Sequence, residues 1–251
     1  MILNMDKQQT RLLRPVQVSH VSDINERMKR VYLTGESVAA FSDALPASWV
    51  KVFFTPPQKP EGPGRAYTIR YVSQAENLLA LDFVQHGEGP AASWSRSAQS
   101  GDIIRVAGPR EGVSVAGVKS ILLFGDETAI PGIFAIIEAL DEHASVQAFI
   151  VKDSEACYAL PDTCADLSVA WLDCHEDLAG LVNEWVQENT PELIWGAGEH
   201  SIVIPLRRHL FQAFGRNRKD THITAYWKSG EADHHDTPEG IPLYSTINND
   251  F

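Results

Sequence analysis

The feature that most constrains this chain is a change of rhythm after Lys119. Beyond it, Ile121-Leu122-Leu123-Phe124 is a continuous apolar run of the kind found in strands covered on both faces, and Glu127 to Leu140 follows with helical periodicity. Val146 to Val151, Ser168 to Leu172 and Leu193 to Trp195 repeat the strand signal. Leu178 to Gln187 and Ser201 to Phe214 repeat the helical one, and Ile223 to Trp227 closes as a strand. Strand and helix alternating in this way argue for a parallel, doubly wound sheet. Before the change, short strand signals are separated by turns. The chain of 251 residues is therefore read as two domains, 1–112 and 113–251, each long enough to bury its own core.

The first half is all-β in pattern. Residues 1–14 are polar and basic and are read as a frayed lead into a strand from Pro15. Strand signals follow at Val16–Val18, Met28–Thr34, Trp49–Phe54, Arg65–Arg70, Leu78–Val84 and Gly101–Ala107, with helical pieces at Ser37–Phe41 and Ser93–Ala98. Alternation in the third of these strands turns Val50 and Val52 inward and Lys51 outward. Thr55 to Gly64, rich in proline and glycine, reads as a loop, and Gly108 to Gly112 as a breaker.

Charge and composition exclude several classes. A net charge of -12 argues against a general nucleic-acid binder, so an anionic ligand requires a local basic patch. The apolar runs are too short to span a bilayer and the start lacks the apolar core of a signal peptide, so a cytoplasmic protein without membrane insertion is expected. Cys157, Cys164 and Cys174 have the spacing of neither a zinc site nor a redox pair and are read as reduced thiols. His234-His235, between Asp233 and Asp236, is read as an exposed polar loop, because neighbours in an extended segment point opposite ways. No metal site is expected.

Four stretches carry candidate chemistry. In Arg65-Ala66-Tyr67-Thr68-Ile69-Arg70, strand alternation puts Arg65, Tyr67 and Ile69 on one face and Ala66, Thr68 and Arg70 on the other. A planar cation beside a planar aromatic suits a pyrophosphate and a flat heterocycle; the same six residues also describe an ordinary surface strand. The Gly-rich turn from Gln85 to Ala92 runs into a helix N-terminus, where unpaired amides form an anion site. Gly125-Asp126-Glu127-Thr128-Ala129-Ile130-Pro131 and Gly196-Ala197-Gly198-Glu199 end parallel strands, where ligands bind in such sheets. Either segment serves binding or helix capping, by Asp126 or Thr128 in the first and by the glycines in the second.

Together these residues resemble the siderophore-interacting protein family, the flavin-dependent ferric-siderophore reductases of the ferredoxin-reductase-like superfamily. The resemblance runs through Arg65–Arg70, Asp82 to Trp94, Gly125–Pro131, Trp195–Glu199 and Tyr226–Gly230. It implies an N-terminal antiparallel β-barrel that holds FAD, a C-terminal nucleotide-binding domain, and a cleft that admits a ferric siderophore. Arg65 and Tyr67 then match the pyrophosphate and flavin contacts, with Thr68 near the reactive edge. His86, Gly87, Gly89, Ala91 and Ala92 match the phosphate loop, which Trp94 completes. Asp126, Thr128, Gly198 and Glu199 match the nicotinamide side. Lys51, Lys228 and Arg110 match a basic substrate pocket, and no catalytic group beyond the flavin is implied. The donor is NADH or NADPH, or a ferredoxin-type protein; Lys152 suits a 2'-phosphate, but Asp153 beside it favours NADH. A monomer is expected. A flavoprotein reductase of another acceptor, or a non-catalytic siderophore or flavin binder, shares these features.

Overall fold

The structure, a computed structural model, describes residues 12–55, 62, 64–85, 89–231, 234 and 236. Residues 1–11 of the basic lead, most of the 55–64 loop, His86 and Gly87, and the tail beyond Glu231 apart from His234 and Asp236 lie outside the described residues.

The first half forms β1 (Arg14–Asn25), β2 (Met28–Thr34), a 3-10 turn (Glu36–Phe41), β3 (Trp49–Phe53), β4 (Arg65–Ser73), β5 (Leu78–Val84), α1 (Pro90–Ser97) and β6 (Ile103–Arg110). The strands close an antiparallel barrel in the order β1-β2-β5-β4-β3-β6, because β6 pairs with both β3 and β1. Period-two alternation fills its interior: Val16, Val18, Val31, Leu33, Val50, Val52, Leu79, Leu81, Ile104 and Val106 form one buried cluster.

The second half forms β7 (Ser120–Gly125), α2 (Ile130–Glu138), β8 (Ser145–Val151), β9 (Asp166–Leu172), α3 (Glu176–Glu188), β10 (Leu193–Glu199), α4 (His200–Ala213) and β11 (Thr221–Trp227). The sheet is parallel throughout, in the order β11-β10-β7-β8-β9. Helix α2 packs on one face with Leu123, Ala148 and Trp195, while α3 and α4 cover Leu122, Phe124 and Ile194 on the other. The β plus α/β organisation expected from the rhythm of the sequence is the one that forms.

Four of the differences in element boundary have identifiable reasons. β1 runs on through the polar stretch to Asn25, because its partner β2 supplies a ladder with two irregularities that periodicity cannot show. α1 starts at Pro90 rather than Ser93: proline lacks an N-H and has a preset φ, so it opens a helix as well as it ends one. β6 continues through the expected breaker to Arg110, with Gly108 (φ +145°) allowing close approach to the Trp49 carbonyl. β10 extends through its glycines to Glu199, because a Cβ at Gly196 would lie 2.4 Å from the Phe124 ring. That glycine makes room for the core.

Candidate active site

The site is built where β4 and β5 of the barrel face the carboxyl ends of β7, β10 and β11. Tyr67 lies in the strand as alternation required, opposite Val50, and its ring packs on Phe83 with centroids 4.2 Å apart. Phe54 and Trp94 complete an aromatic wall, 5.1 Å from each other and 6.3 and 5.6 Å from Phe83. Burial pushes the Tyr67 hydroxyl above the ordinary phenol range, against the pull of Arg65. Arg65 opens the same strand, opposite Val52, with one guanidinium nitrogen 3.1 Å from the Gly64 carbonyl.

Below this wall α1 begins at Gly89 with no side-chain cap, and a Cβ there would meet nothing within 4 Å. Pro90 has no N-H, so the amides of Ala91 and Ala92 are the open donors of the first turn, and both side chains are small and buried. Gln85 leads into this turn with its Nε2 on Ser95 and the Phe83 carbonyl, while its Oε1 is buried without a partner. An aromatic wall, a guanidinium, open helix amides and an orphaned acceptor are together contacts of the kind a flavin dinucleotide takes, and the residues fit that group.

Thr68, on the other face of β4, is buried and faces the second domain. Its hydroxyl lies 3.4 Å from that of Tyr226, near the end of β11. Desolvation pushes the Tyr226 hydroxyl up to about 12, with Thr68 opposing and Asp126 adding to the shift. Thr68 pairs across β3 with Trp49, and Trp49 with Arg110, whose guanidinium lies 5.6 Å from the Trp49 ring centroid. Lys51 follows on the outer face of β3, half-buried, under Gly64. Lys228 comes two residues after Tyr226 and is ion-paired with Glu231 at 2.7 Å.

Asp126 and Glu199 come together, but their carboxylates serve the chain. Asp126 accepts from the Thr128 amide at 2.9 Å and its hydroxyl at 2.5 Å, from the Glu199 amide at 3.0 Å and from Trp227 Nε1 at 2.9 Å. Glu199 caps α4, accepting from the Ser201 amide and hydroxyl, and receives the Ser229 amide at 3.1 Å. Burial alone would raise the Glu199 carboxyl, but these hydrogen bonds hold it below the usual carboxylate range. The α4 cap is thus Glu199 rather than the glycines; a Cβ on Gly198 would meet Asp126 Oδ2 at 2.8 Å.

Beside this network is a cleft of about 260 Å³ between the domains, with Arg27 and Val84 of the barrel facing Thr128, Lys152, His175 and Trp227. Lys152 folds onto its own loop, donating to the carbonyls of Asp153 and Ser154 at 3.1 Å each. Arg27 Nη2 donates to Glu127 Oε2 at 3.0 Å, and the Tyr158 hydroxyl to Glu127 Oε1 at 2.7 Å. Arg27, Phe54, Phe83 and Tyr158 escaped the sequence reading; the aromatic trio Phe54, Phe83 and Trp94 offered a signal, while the Arg27 pair offered none.

One expectation is corrected. His234 and Asp236 are not in an exposed loop: each side chain is 8% exposed. Asp236 answers the buried Arg207 guanidinium at 2.6 Å and accepts the Ala225 amide, and a cation so buried requires such a partner. His234 packs edge-on against His200, with ring centroids 5.1 Å apart. The three cysteines are exposed and unpaired with one another. Among the described residues, no group of His, Cys, Asp or Glu is placed to hold a metal, and no helix is long and apolar enough to cross a membrane.

A closed antiparallel barrel with an aromatic and amide site that fits a flavin, joined to a doubly wound parallel sheet, is the fold also found in the ferredoxin reductase of carbazole 1,9a-dioxygenase. The family description "Siderophore-interacting FAD-binding domain" matches residues 55–113, and "Siderophore-interacting protein" matches residues 118–230. The chain belongs to the siderophore-interacting protein family. It is 29% identical over 250 residues to the ferric vibriobactin reductase ViuB of Vibrio cholerae, covering 88% of this chain and 90% of that one. It is 29% identical over 238 residues to the NADPH-dependent ferric-chelate reductase of Escherichia coli, covering 85% and 92%. A siderophore utilization protein from T. fusca has a similar structure, with a TM-score of 0.78 at 28% identity over 89% of this chain and 95% of that one.

Proposed function

We propose that the protein is a ferric-siderophore reductase that uses NADH or NADPH and FAD to convert a bound iron(III) siderophore to iron(II). The observation that supports this reading is the Thr68–Tyr226 contact, which brings β4 of the barrel against the end of β11 of the parallel sheet, with Lys228 two residues further along the chain.

Arg65 and the amides of Ala91 and Ala92 would hold the pyrophosphate, with Tyr67 and Trp94 against the flavin and His86, Gly87 and Gly89 completing the loop. Asp126, Thr128, Gly198 and Glu199 shape the nicotinamide side by fixing the strand ends. FAD, when bound, accepts electrons in a pair and passes them singly, as iron requires. Lys51, Lys228 and Arg110 would draw an anionic chelate and need no acid-base role. Tyr226, neutral at any working pH, adds no charge that would repel it. Siderophores hold iron(III) through hard anionic oxygens, so reduction weakens the complex and the metal leaves. A monomer in the cytoplasm, divided at 112/113 and drawing on a nicotinamide rather than a ferredoxin-type donor, belongs to the same reading.

The test is anaerobic. FAD-loaded protein is mixed with NADH or NADPH and followed at the visible flavin bands, and ferric siderophore is then added. Bleaching that the siderophore reverses is the expected result. Bleaching reversed only by another acceptor makes this a reductase of that acceptor, and no bleaching by either nicotinamide sinks the donor assignment.

A further inference from the structure

Lys228 does not present an open charge. Its ammonium lies 2.7 Å from Glu231 Oε2, and both side chains are 45% exposed. The pair sits on a built turn: the Glu231 amide donates to the Lys228 carbonyl at 3.1 Å, Gly230 takes the left-handed φ of +77° that the turn requires, and the Ser229 amide is anchored on buried Glu199. The other Glu231 oxygen faces His234 Nδ1 at 3.4 Å. Hydrogen bonds from Lys228 and then His234 hold the Glu231 carboxyl below the usual range, so it is anionic throughout the neutral region. A chelate attracted to Lys228 therefore meets a carboxylate already bound to the same ammonium.

We propose that Glu231 is a specificity-determining residue that sets the charge a metal chelate must carry to engage Lys228. The argument rests on the reading of Lys228 as part of the chelate site. An exposed ion pair is weak in water, so a multiply charged anion can replace the carboxylate at the ammonium. A neutral chelate gains nothing from that exchange and binds independently of the pair. Removing the Glu231 charge should thus favour anionic chelates selectively, and only while Lys228 is present.

The test uses binding rather than turnover, with gallium(III) as a redox-inert substitute for iron(III). Full-length FAD-loaded wild type, E231Q, K228A and the double variant are titrated with the trianionic gallium(III) tris-catecholate and with a neutral gallium(III) tris-hydroxamate. The expected result is tighter binding of the trianion by E231Q, about fourfold as befits an exposed pair. The neutral chelate should bind unchanged, and the gain should disappear in the double variant. If wild type binds either chelate and E231Q tightens nothing, Glu231 has no selective role. An equal gain for both chelates, or a gain that survives loss of Lys228, overturns the proposal too. If wild type binds neither chelate, the chelate-site reading falls and takes this proposal with it.

Discussion

The sharpest prediction concerns Asp126, because replacement by its own amide should fail there. Both carboxylate oxygens are surrounded by donors: one faces the Thr128 amide and hydroxyl, the other the Glu199 amide and Trp227 Nε1. The side-chain amide introduced by Asp126→Asn would turn an NH2 toward one of these pairs. Directed at Glu199 and Trp227, it opposes two N-H groups; directed at Thr128, it opposes one N-H and at best donates to the hydroxyl. A buried donor left without an acceptor costs about 1–3 kcal/mol. Asp126→Asn should therefore destabilise by about 2 kcal/mol and Asp126→Ala, which strands the whole set, by about 3–5 kcal/mol. In a chain of this size, each kcal/mol lowers Tm by roughly 2–4 °C. Thr128→Ala removes a single donor and should cost about 1 kcal/mol. Thermal unfolding of the FAD-loaded variants, followed by tryptophan fluorescence and circular dichroism, gives the ranking Thr128→Ala, Asp126→Asn, Asp126→Ala in increasing loss. An Asp126→Asn variant as stable as wild type would refute the argument that this carboxylate holds the strand ends together.

Four further outcomes follow from the geometry. Replacing Lys51 and Lys228 together with alanine should raise KM for an anionic ferric siderophore while flavin content stays at the wild-type level; unchanged kinetics would remove both from the site. Gly125→Ala places a Cβ 2.2 Å from the Ala197 carbonyl oxygen and 2.4 Å from Ala129 Cβ, where the backbone cannot yield, and should cost about 3 kcal/mol or more. Gly180→Ala, on the exposed side of α3 with nothing within 4 Å, should instead stabilise by up to about 1 kcal/mol, and urea midpoints compare the two. Tyr226 gives a pH window: its hydroxyl stays protonated up to about 12 in the fold, whereas an unfolded chain ionises near about 10. Its contribution is complete below the lower value and is lost as pH rises toward the upper one. Tyr226→Phe should lose less stability than wild type between pH ~10 and ~12, and equal losses would show that the hydroxyl is not desolvated.

Much of the fold was legible because its signals are local. Val50, Lys51 and Val52 alternate as a barrel strand must, and Ile121 to Phe124 is apolar without interruption because both faces of β7 are covered. What escaped depends on residues far apart in the chain. Gly196 reads as a loop residue until Phe124 is seen lying against it. Arg27 meets Glu127 across 100 positions and Arg70 meets Glu138 across 68, and no spacing rule reaches that far. The alternation of β4 was open to view in the sequence, but nothing near Asp126 disclosed that its acceptors were already taken. His234 and Asp236 misled for the same reason, since their partners His200 and Arg207 lie on a helix that has ended by Ala213, with a whole strand intervening.

The interface between the domains explains why selectivity should reside in a surface turn. Domains in one chain move relative to each other unless their interface is large and apolar. Here Met28 and Ala47 of the barrel belong to the same buried cluster as Ile133, Ile137 and Trp195 of the second domain. A Cβ on Gly132 would meet Trp195 at 2.7 Å and Ala47 at 3.5 Å, so that seam is packed as closely as a core. Arg70 spans it, with both terminal nitrogens 2.6 Å from the Glu138 carboxylate and its guanidinium 5.8 Å from the Phe134 ring. A seam of that kind fixes β4 against α2 and holds Thr68 beside Tyr226 before any ligand arrives. Redox chemistry benefits from that rigidity, but recognition of chelates that differ in charge must come from something that can exchange partners. The exposed Lys228–Glu231 pair, anchored through Ser229 to the rigid Glu199, meets that requirement: its base is fixed by buried hydrogen bonds while its ion pair lies in water, where a competing anion can replace it.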